Sequence, residues 1–247
     1  MQRRNRVRLA LAALAVLAAP AAATAQSTEA ARSTGAVPSP LERALESRAK
    51  GGDSAAVVVF EIADFQCPYC ARFALDVAPG IDEKYVETGR IQWVFVNLPL
   101  HTHPLAWAAA EAALCAGVAG NQFWSMHDRL FEEQDAWARA EDPRSRFAQY
   151  AAELGVPEAE FAACTAEDQV ASLILQDLGS AVSAGVTGTP TFIVMKGQEV
   201  VERLVGVQSL EEWSRVLDGA LQEGAAEPRK WLADARKWLT PFANGGA

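Results

Sequence analysis

The chain is short of cysteine and histidine, with four cysteines and three histidines in 247 residues. Four cysteines are too few to build a fold from disulfide bonds at this length, and half of the residues are apolar, so an ordinary hydrophobic core is available. Positive charge is also scarce, because 22 basic residues face 31 acidic ones and the net charge is −9. This acidity excludes nucleic acid as a partner, since such binding needs basic side chains against phosphates.

Long apolar runs are missing except at the N-terminus. Residues 1–25 place four arginines before a run of alanine, leucine and valine, and they end on an A-x-A sequence. A basic head, a short apolar core and such an end predict a secretory signal peptide that is cleaved after Ala25. A membrane anchor is the alternative, but Pro20 interrupts the run. We therefore expect export to the periplasm or cell envelope.

The mature sequence begins with a linker and continues with a strand–helix–strand pattern. Residues 26–50 are predicted to be a linker with one short helix in "LERALESRAK". The stretch "AAVVVFEIADF" predicts a strand that is buried on both faces, and "IQWVFVNLPL" predicts a second strand. Between them lies a helical pattern that Pro79-Gly80 should break. This order predicts a βαβ unit.

The middle of the sequence lacks strand patterns. Residues 102–185 carry only helical patterns, and a β-hairpin in "TPTFIVM" and "VVERLVG" and a closing helix in "SLEEWSRVLDGALQEG" follow them. We therefore predict an α/β domain of the thioredoxin type over residues 51–224, in which an all-helical insertion at about 102–185 separates the two halves. Residues 225–247 are predicted to be a C-terminal helical tail.

The motif "CPYC" at residues 67–70 admits several kinds of chemistry. A c-type haem anchor needs histidine directly after the second cysteine, and Ala71 stands there instead. A structural zinc site needs a second pair of ligands, for which His101 and His103 are the candidates. The proline and the helix start are expected to leave one sulfur exposed and the other partly covered, which suits thiol–disulfide exchange better than closed ligation. We predict no metal and no cofactor.

Exchange has a physical mechanism at this motif. A strand enters the motif and a helix leaves it, so Cys67 is placed at a helix N-terminus, where free N–H groups and the helix dipole stabilise negative charge. The pKa of Cys67 should therefore be lowered, and its thiolate is the attacking species. Cys70 lies one turn into the helix and is placed to resolve a mixed disulfide by attacking Cys67. Pro68 fits the first helical turn because its missing N–H costs nothing there.

Two further features support redox chemistry. Glu61 stands six residues before Cys67 in the buried strand without an obvious partner, and burial should raise its pKa so that it exchanges a proton when Cys70 reacts. The alternative is a glutamate exposed at the strand end. The sequence "GTPT" at 188–191 directly precedes a strand, and this position favours a cis Thr189–Pro190 bond.

These residues together resemble the DsbA-like thioredoxin-fold oxidoreductases of the bacterial envelope. The resemblance covers about residues 55–224, and "DFQCPYC" with the distant "GTPTF" is its most specific part. The stretch "CAGVAGNQFWSMHDRLFEEQ" resembles the insertion of the subgroup that includes BdbD-type proteins. The resemblance implies that Cys67 is the nucleophile, Cys70 the resolving thiol and Glu61 the buried acid beneath the motif.

The resemblance also implies how clients bind. Pro190 would be the cis-proline beside Cys67, and the Thr189 backbone would pair with an extended client segment. Pro68 and Tyr69 complete the predicted client-binding residues, and the insertion would cap the active site and help form a groove for unfolded polypeptide. The implied partners are unfolded or partly folded proteins with cysteines and a membrane protein that reoxidises the couple.

Two residues leave the direction of exchange open. The strongest oxidants of the family carry histidine where this chain has Tyr69, and threonine before the cis-proline, here Thr189, is found in isomerase relatives. Those isomerases usually have a separate dimerisation domain, for which residues 26–54 are too few. The leading hypothesis is an exported protein-disulfide oxidoreductase that oxidises its clients. A reductant or isomerase of the same fold is the first alternative, and a thioredoxin-fold binding or chaperone module is the second.

The other two cysteines, Cys115 and Cys164, both lie in the insertion. Export and the even count favour a structural disulfide between them, and closing a loop of about fifty residues should stabilise the fold by about 3–4 kcal/mol. Two buried free thiols are the alternative. His127 is expected to be a half-buried structural residue, and neither His101 nor His103 is needed for the chemistry.

Overall fold

Residues 37–222 are described by the computed structural model of the protein. The predicted signal peptide and the predicted C-terminal tail lie outside these residues. The strands are β1 (Ala49–Gly51), β2 (Val57–Ala63), β3 (Ile91–Asn97), β4 (Thr191–Lys196) and β5 (Glu199–Val205). They form one mixed sheet in the order β1-β3-β2-β4-β5. Within residues 37–222, no helix has the length and apolar character needed to cross a membrane.

The centre of the sheet confirms the predicted βαβ unit. β2 and β3 run parallel, while β4 is antiparallel to β2 and β5 is antiparallel to β4. Every residue of β2 except Phe60 is buried, and so is every residue of β3 except Val94. The continuous β-branched and aromatic sequence of both strands follows from this, since helices cover both faces of the sheet.

The first strand, β1, differs from the predicted linker. A helix, α1 (Pro40–Ser47), forms where the short helix is predicted, but residues 49–51 then pair antiparallel with β3. Gly51 has a φ of +97°, and a Cβ there would lie 2.3 Å from the carbonyl oxygen of Ile91. The close approach of the two strands therefore needs glycine at this position. Three residues are too few to show the alternation that identifies a strand in a sequence.

The helical segment between β2 and β3 is broken where Pro79-Gly80 predicts a break. Its elements are α2 (Pro68–Asp76), α3 (Ala78–Ile81) and a π-helical turn (Asp82–Val86). Pro79 has no N–H to donate to the preceding turn, so α2 does not continue through it. A Cβ on Gly80 would lie 2.5 Å from the Leu210 side chain, so glycine also allows the C-terminal helix to pack closely here.

The segment between β3 and β4 is helical, as predicted. Its helices are α4 (Ala106–Gly120), α5 (Phe123–Glu132), α6 (Gln134–Trp137), α7 (Pro143–Glu153), α8 (Glu158–Ala166) and α9 (Ala171–Ser183). The short helix α6 is not separately visible in the sequence pattern, because it spans one turn directly after α5. These helices build their own apolar core, which continues into the residues around the "CPYC" motif.

The closing helix α10 (Leu210–Gln222) packs on the same face of the sheet as α2. The contact is aromatic, with ring centroids 4.4 Å apart for Phe73 and Phe192 and 5.3 Å apart for Trp93 and Trp213. Side chains of the opposite face, among them Ile62, pack against residues of α9 and the loop after it. This packing fixes α2 against the face of the sheet, and its first residues, which carry the "CPYC" motif, follow the C-terminal end of β2.

Candidate active site

The two cysteines of the motif lie at the start of α2. Cys67 is the N-cap residue, and the N–H groups of Cys70 and Ala71 donate to its carbonyl oxygen at 3.1 and 3.2 Å. Pro68 occupies the first helical position. Both cysteines are free thiols in this structure. The placement of Cys67 at the helix N-terminus is the one that the sequence predicts.

Both thiols are more covered than the sequence suggests. Cys67 is 4% exposed and Cys70 is fully buried, so the expectation that one sulfur is exposed is wrong. The physical reason is the insertion, because its apolar side chains, among them Met126 and Phe131, belong to one continuous core with both cysteines. The sequence of the motif gives no sign of this cover, because the covering side chains belong to the insertion.

The protein environment separates the pKa values of the two thiols. The pKa of Cys67 falls from 9.0 to about 5, first because the Cys70 thiol donates a hydrogen bond to its thiolate, and then because of the Thr189 side chain and the N–H groups of Cys70 and Tyr69. Burial opposes this change. The pKa of Cys70 is raised well above its ordinary value, first by burial and then by its bond to Cys67. At neutral pH the pair is thus a Cys67 thiolate beside a Cys70 thiol.

The segment before β4 lies against the nucleophile. The Thr189–Pro190 peptide bond is cis, and the carbonyl oxygen of Thr189 lies 3.5 Å from Cys67 Sγ. The N–H of Gly206 donates to the Pro190 carbonyl oxygen at 2.8 Å, which ties this segment to the end of β5. The structure therefore brings together two predicted site residues that are separated by 122 positions in the sequence.

The two residues between the cysteines face outward. Pro68 is exposed, and Tyr69 is 61% exposed, which is unusual for a large aromatic side chain. The Thr189 residue is partly buried and Pro190 is buried. The surface next to Cys67 therefore presents an exposed aromatic ring near the part-buried Thr189.

Glu61 is buried beneath the active-site helix. It is 2% exposed, and its neighbours in register are Phe95 on β3 and Phe192 on β4. The alternative of a glutamate exposed at a strand end is therefore wrong. Trp93 Nε1 donates to Oε2 at 2.8 Å, so one oxygen has the partner that the sequence did not reveal, while Oε1 has none within residues 37–222. Burial raises the pKa of Glu61, and His127, Trp93 and Lys50 oppose the rise.

Asp64 orders the turn before the motif. Its Oδ1 accepts from the N–H of Gln66 at 2.7 Å, and its Oδ2 accepts from the N–H of Leu100 at 2.8 Å. His103 Nδ1 lies 2.8 Å from the same Oδ2. Sequence reasoning missed this role for Asp64 and gave His103 none. The available signal was an acid placed directly after a buried strand, where polar side chains often bond to backbone.

His127 is fully buried rather than half-buried. It is 3% exposed, and its ring centroid lies 4.9 Å from those of Trp124 and Phe131 and 5.2 Å from that of Phe95. Its Nδ1 lies 2.8 Å from Asp128 Oδ1, and Nε2 has no partner within residues 37–222. The helix α5 turns its apolar stripe inward, and His127 occupies a position of that stripe. A polar residue at such a position was the signal that sequence reasoning passed over.

The second cysteine pair is bonded. Cys115 on α4 and Cys164 on α8 form a disulfide, and both are fully buried. The bond joins two helices of the insertion and lies outside the "CPYC" motif. Within residues 37–222 there is no cluster of three or more histidine, cysteine or acidic side chains arranged to hold a metal ion.

The thioredoxin family model matches residues 44–219. A Na(+)/H(+) antiporter, NhaA 3, of Salinispora tropica is 38% identical over 146 residues, which are 59% of this chain and 21% of the antiporter. A putative protein-disulfide oxidoreductase of Rickettsia felis is 28% identical over 174 residues, which are 70% of this chain and 59% of that protein. The chain thus spans about a fifth of the first relative and about three fifths of the second.

Among solved structures, alpha-DsbA1 of Wolbachia pipientis superposes with a TM-score of 0.62 at 23% identity. The match covers 70% of this chain and 90% of that one. At this identity the likeness supports the fold: a thioredoxin core that carries a helical insertion.

Proposed function

We propose that this chain, which belongs to the thioredoxin family and is DsbA-like, is an exported protein-disulfide oxidoreductase. In this proposal it oxidises the cysteines of client proteins. The direction of electron transfer, from client to protein, is inferred from the low pKa of Cys67, about 5, and the raised pKa of Cys70. A stabilised Cys67 thiolate stabilises the reduced protein relative to its disulfide. A couple whose reduced form is stabilised takes electrons from its clients, so it acts as an oxidant.

The first step is attack by a client thiolate on Cys67 Sγ of the Cys67–Cys70 disulfide. The bond between the two protein sulfurs breaks, a mixed disulfide with the client forms, and Cys70 leaves as a thiolate. The raised pKa of Cys70 means that it takes up a proton, and Glu61 is the acid assigned to supply it. Burial raises the pKa of Glu61, and this favours the protonated carboxyl that can give a proton to Cys70.

The second step releases the oxidised client. A second client thiolate attacks the client sulfur of the mixed disulfide, and Cys67 leaves as a thiolate. A thiol with a low pKa is a good leaving group, so the environment of Cys67 favours this release. Two electrons pass from the client dithiol to the protein, and a membrane redox partner is assigned to remove them again.

Client binding is assigned to the surface around Cys67. An extended client segment that pairs with the Thr189 backbone would hold its cysteine near Sγ, because the Thr189 carbonyl oxygen lies 3.5 Å from that sulfur. Pro190, Pro68 and Tyr69 border the same position. The exposed Tyr69 ring supplies apolar contact that does not depend on the client sequence.

The experiment that tests the direction is equilibration of the Cys67–Cys70 couple against glutathione buffers. The potential is expected on the oxidising side, toward about −120 mV, and a value near −270 mV would identify a reductant instead. The Cys67 thiolate of the variant Cys70→Ser should attack a peptide that carries a disulfide bond, whose second sulfur leaves as a thiolate, and the mixed disulfide should accumulate; Cys67→Ser should form none. A chain that only binds polypeptide would keep its affinity for that peptide after Cys67 is alkylated.

Export and chain organisation complete the proposal. Residues 1–25 are assigned as a signal peptide that directs the chain to the periplasm or envelope, followed by a linker, and residues 225–247 are assigned as a helical tail. Expression in a secreting host with mass determination of the mature N-terminus tests the first assignment. A mature protein that begins at Gln26 is expected, and an uncleaved N-terminus held in the membrane would contradict it.

A further inference from the structure

We propose that Asp128 and His127 form a proton route between solvent and Glu61, separate from the surface that binds clients. The proposal rests on the proposed function and deepens it, because disulfide exchange at this site moves a proton to and from a buried pair of groups. It makes His127 a proton-relay residue and Asp128 the solvent end of the relay.

The need for a separate route follows from burial. Glu61 is 2% exposed and Cys70 is fully buried, yet each oxidation of a client requires a proton to reach them from solvent. During exchange the client is covalently bound to Cys67 and lies over Tyr69 and Thr189. The client then covers the surface beside Cys67 and blocks the entry of a proton from solvent at that point.

The inner end of the route is a pair of buried polar atoms without partners. Oε1 of Glu61 and Nε2 of His127 are both buried, and neither has a hydrogen-bond partner within residues 37–222. Phe95 is a neighbour of both residues. It pairs with Glu61 in the sheet register, and its ring centroid lies 5.2 Å from that of His127. Unpaired buried polar atoms are costly, so two of them in one apolar region need a functional explanation.

The outer end of the route reaches water. Nδ1 of His127 lies 2.8 Å from Oδ1 of Asp128, and the Asp128 side chain is 65% exposed. The imidazole ring therefore has one nitrogen on a solvated carboxylate and the other in the interior. Histidine is suited to this position because it can accept a proton at one nitrogen and release one from the other.

The titratable groups that face Glu61 come from three other elements. They are His127 on α5, Lys50 on β1 and Asp82 in the π-helical turn, and among them His127 has the largest influence on the pKa of Glu61, which it lowers. Lys50 is already engaged, because its Nζ lies 2.6 Å from Asp82 and 4.1 Å from the Trp124 ring centroid. His127 is therefore the group that remains to exchange a proton with Glu61.

The proton balance closes over one catalytic cycle. When a client is oxidised, Cys70 takes a proton from Glu61, Nε2 of His127 gives one to Glu61, and Nδ1 takes one up at Asp128. When the couple is reoxidised, the Cys70 proton returns to Glu61, passes to Nε2, and one leaves from Nδ1. Each half-cycle moves one proton and reverses the tautomer of His127, so the ring does not need to rotate.

The kinetic test uses rapid mixing of the oxidised protein with a reduced peptide that carries two cysteines, in H₂O and in D₂O. Proton transfer through a positioned side chain accelerates reactions by 10²–10⁴, so His127→Phe should slow the reduction by about tenfold or more. Asp128→Asn should slow it by a smaller factor and enlarge the solvent isotope effect. Glu132→Gln removes the same charge from an exposed position of the same helix and should change neither quantity.

A second readout needs no exchange activity. Infrared spectroscopy of the oxidised protein follows the protonated carboxyl band of Glu61 after dilution into D₂O, with Glu61→Gln to assign the band. His127→Phe and Asp128→Asn should slow the deuterium shift of this band, and His127→Phe should also raise the pKa of Glu61. These measurements remain valid if the wild type fails to exchange disulfides, a result that would count against the proposed function alone.

Two results would overturn the relay. Wild-type reduction rates and isotope effects in Asp128→Asn and His127→Phe, at every pH between 5 and 9, would exclude it, and so would an unchanged exchange rate of the Glu61 proton. If His127→Phe does not fold, Asp128→Asn carries the test, because its side chain is exposed. A purely structural role of His127 would lower stability without changing the isotope effect.

Discussion

Gln134 donates from Nε2 to the carbonyl oxygen of Cys67 at 3.1 Å and to that of Phe65 at 2.7 Å. The short helix α6 of the insertion therefore holds the turn that carries the nucleophile. The two bonds join parts of the chain that are 67 and 69 residues apart, so they form only when the insertion is folded onto the thioredoxin core. The insertion thus supports the position of Cys67 in addition to covering it.

Replacing Gln134 with leucine should destabilise the protein. Two hydrogen bonds to part-buried carbonyl groups are lost, although the Cys67 carbonyl keeps the N–H groups of Cys70 and Ala71. Each lost bond costs about 0.5–1.5 kcal/mol, so the free energy of unfolding should fall by about 1–3 kcal/mol. Urea unfolding of the oxidised protein measures this. Gln149→Leu is the matched control, because among residues 37–222 the Gln149 side chain bonds only to the exposed Glu153, at 3.0 Å. Equal losses in the two variants would contradict a specific role of α6.

The low pKa of Cys67 predicts how the stability of the reduced protein depends on pH. Its pKa is about 5 in the fold and 9.0 without the fold, so the thiolate stabilises the folded reduced state. For a lowered pKa the contribution is complete above pH 9 and falls as the pH drops toward 5. At pH 7 it should amount to about 2–3 kcal/mol, and below pH 5 it should be absent.

The oxidised protein is the internal control for this pH dependence, since it has no Cys67 thiol to titrate. Urea unfolding of both forms between pH 4 and 9 should show that the reduced form loses stability relative to the oxidised form as the pH falls. The absorbance of the thiolate at 240 nm should disappear with a midpoint near the pKa of about 5. A difference in stability that does not vary with pH would show that Cys67 is not ionised in the fold.

Thr189→Val tests the contribution of the Thr189 hydroxyl to the Cys67 thiolate. Valine keeps the shape of the side chain and removes a buried hydroxyl that has no hydrogen-bond partner among residues 37–222, so this hydroxyl is free to donate to the Cys67 thiolate and to lower the pKa of Cys67. A hydrogen bond to a charged group contributes about 1.5–3 kcal/mol, so the pKa should rise by about one to two units. The reduction potential should become less oxidising by about 30–60 mV.

The control for that variant is Thr165→Val, which removes a hydroxyl bonded to backbone in the insertion at 3.2 Å. It should leave the absorbance titration of Cys67 unchanged. If Thr189→Val also leaves it unchanged, the thiolate is held by the helix N-terminus and Cys70 alone.

Parts of the site that follow from local sequence were predictable. Cys67 lies at a helix start because a β-branched strand ends just before a proline and a helical pattern, and these signals are all within twenty residues. Glu61 interrupts an apolar run, and its burial follows from that run. Thr189 and Pro190 were predictable because proline fits a sheet directly before or at the first residue of a strand, and a cis X–Pro bond at such a position usually serves a function.

The rest of the site depends on contacts between distant segments. Gln134 belongs to a one-turn helix, and nothing near it in the sequence indicates that it reaches the Cys67 turn. The partner of Glu61, Trp93, lies 32 positions away on the next strand. The cover over Cys67 likewise comes from the packing of the insertion. Such contacts are set by tertiary structure, which local patterns do not encode.

The disulfide of the insertion should stabilise the fold without setting the redox chemistry. Cys115 and Cys164 are 49 positions apart, and closing a loop of that length is worth about 4 kcal/mol through the entropy of the unfolded chain. The double variant Cys115→Ala/Cys164→Ala should therefore unfold at lower urea by about that free energy. Its Cys67–Cys70 potential against glutathione should stay within about 10 mV of the wild type, because 30 mV already corresponds to about 1.4 kcal/mol at the thiolate. A shifted potential with unchanged stability would mean instead that the insertion disulfide tunes the active site.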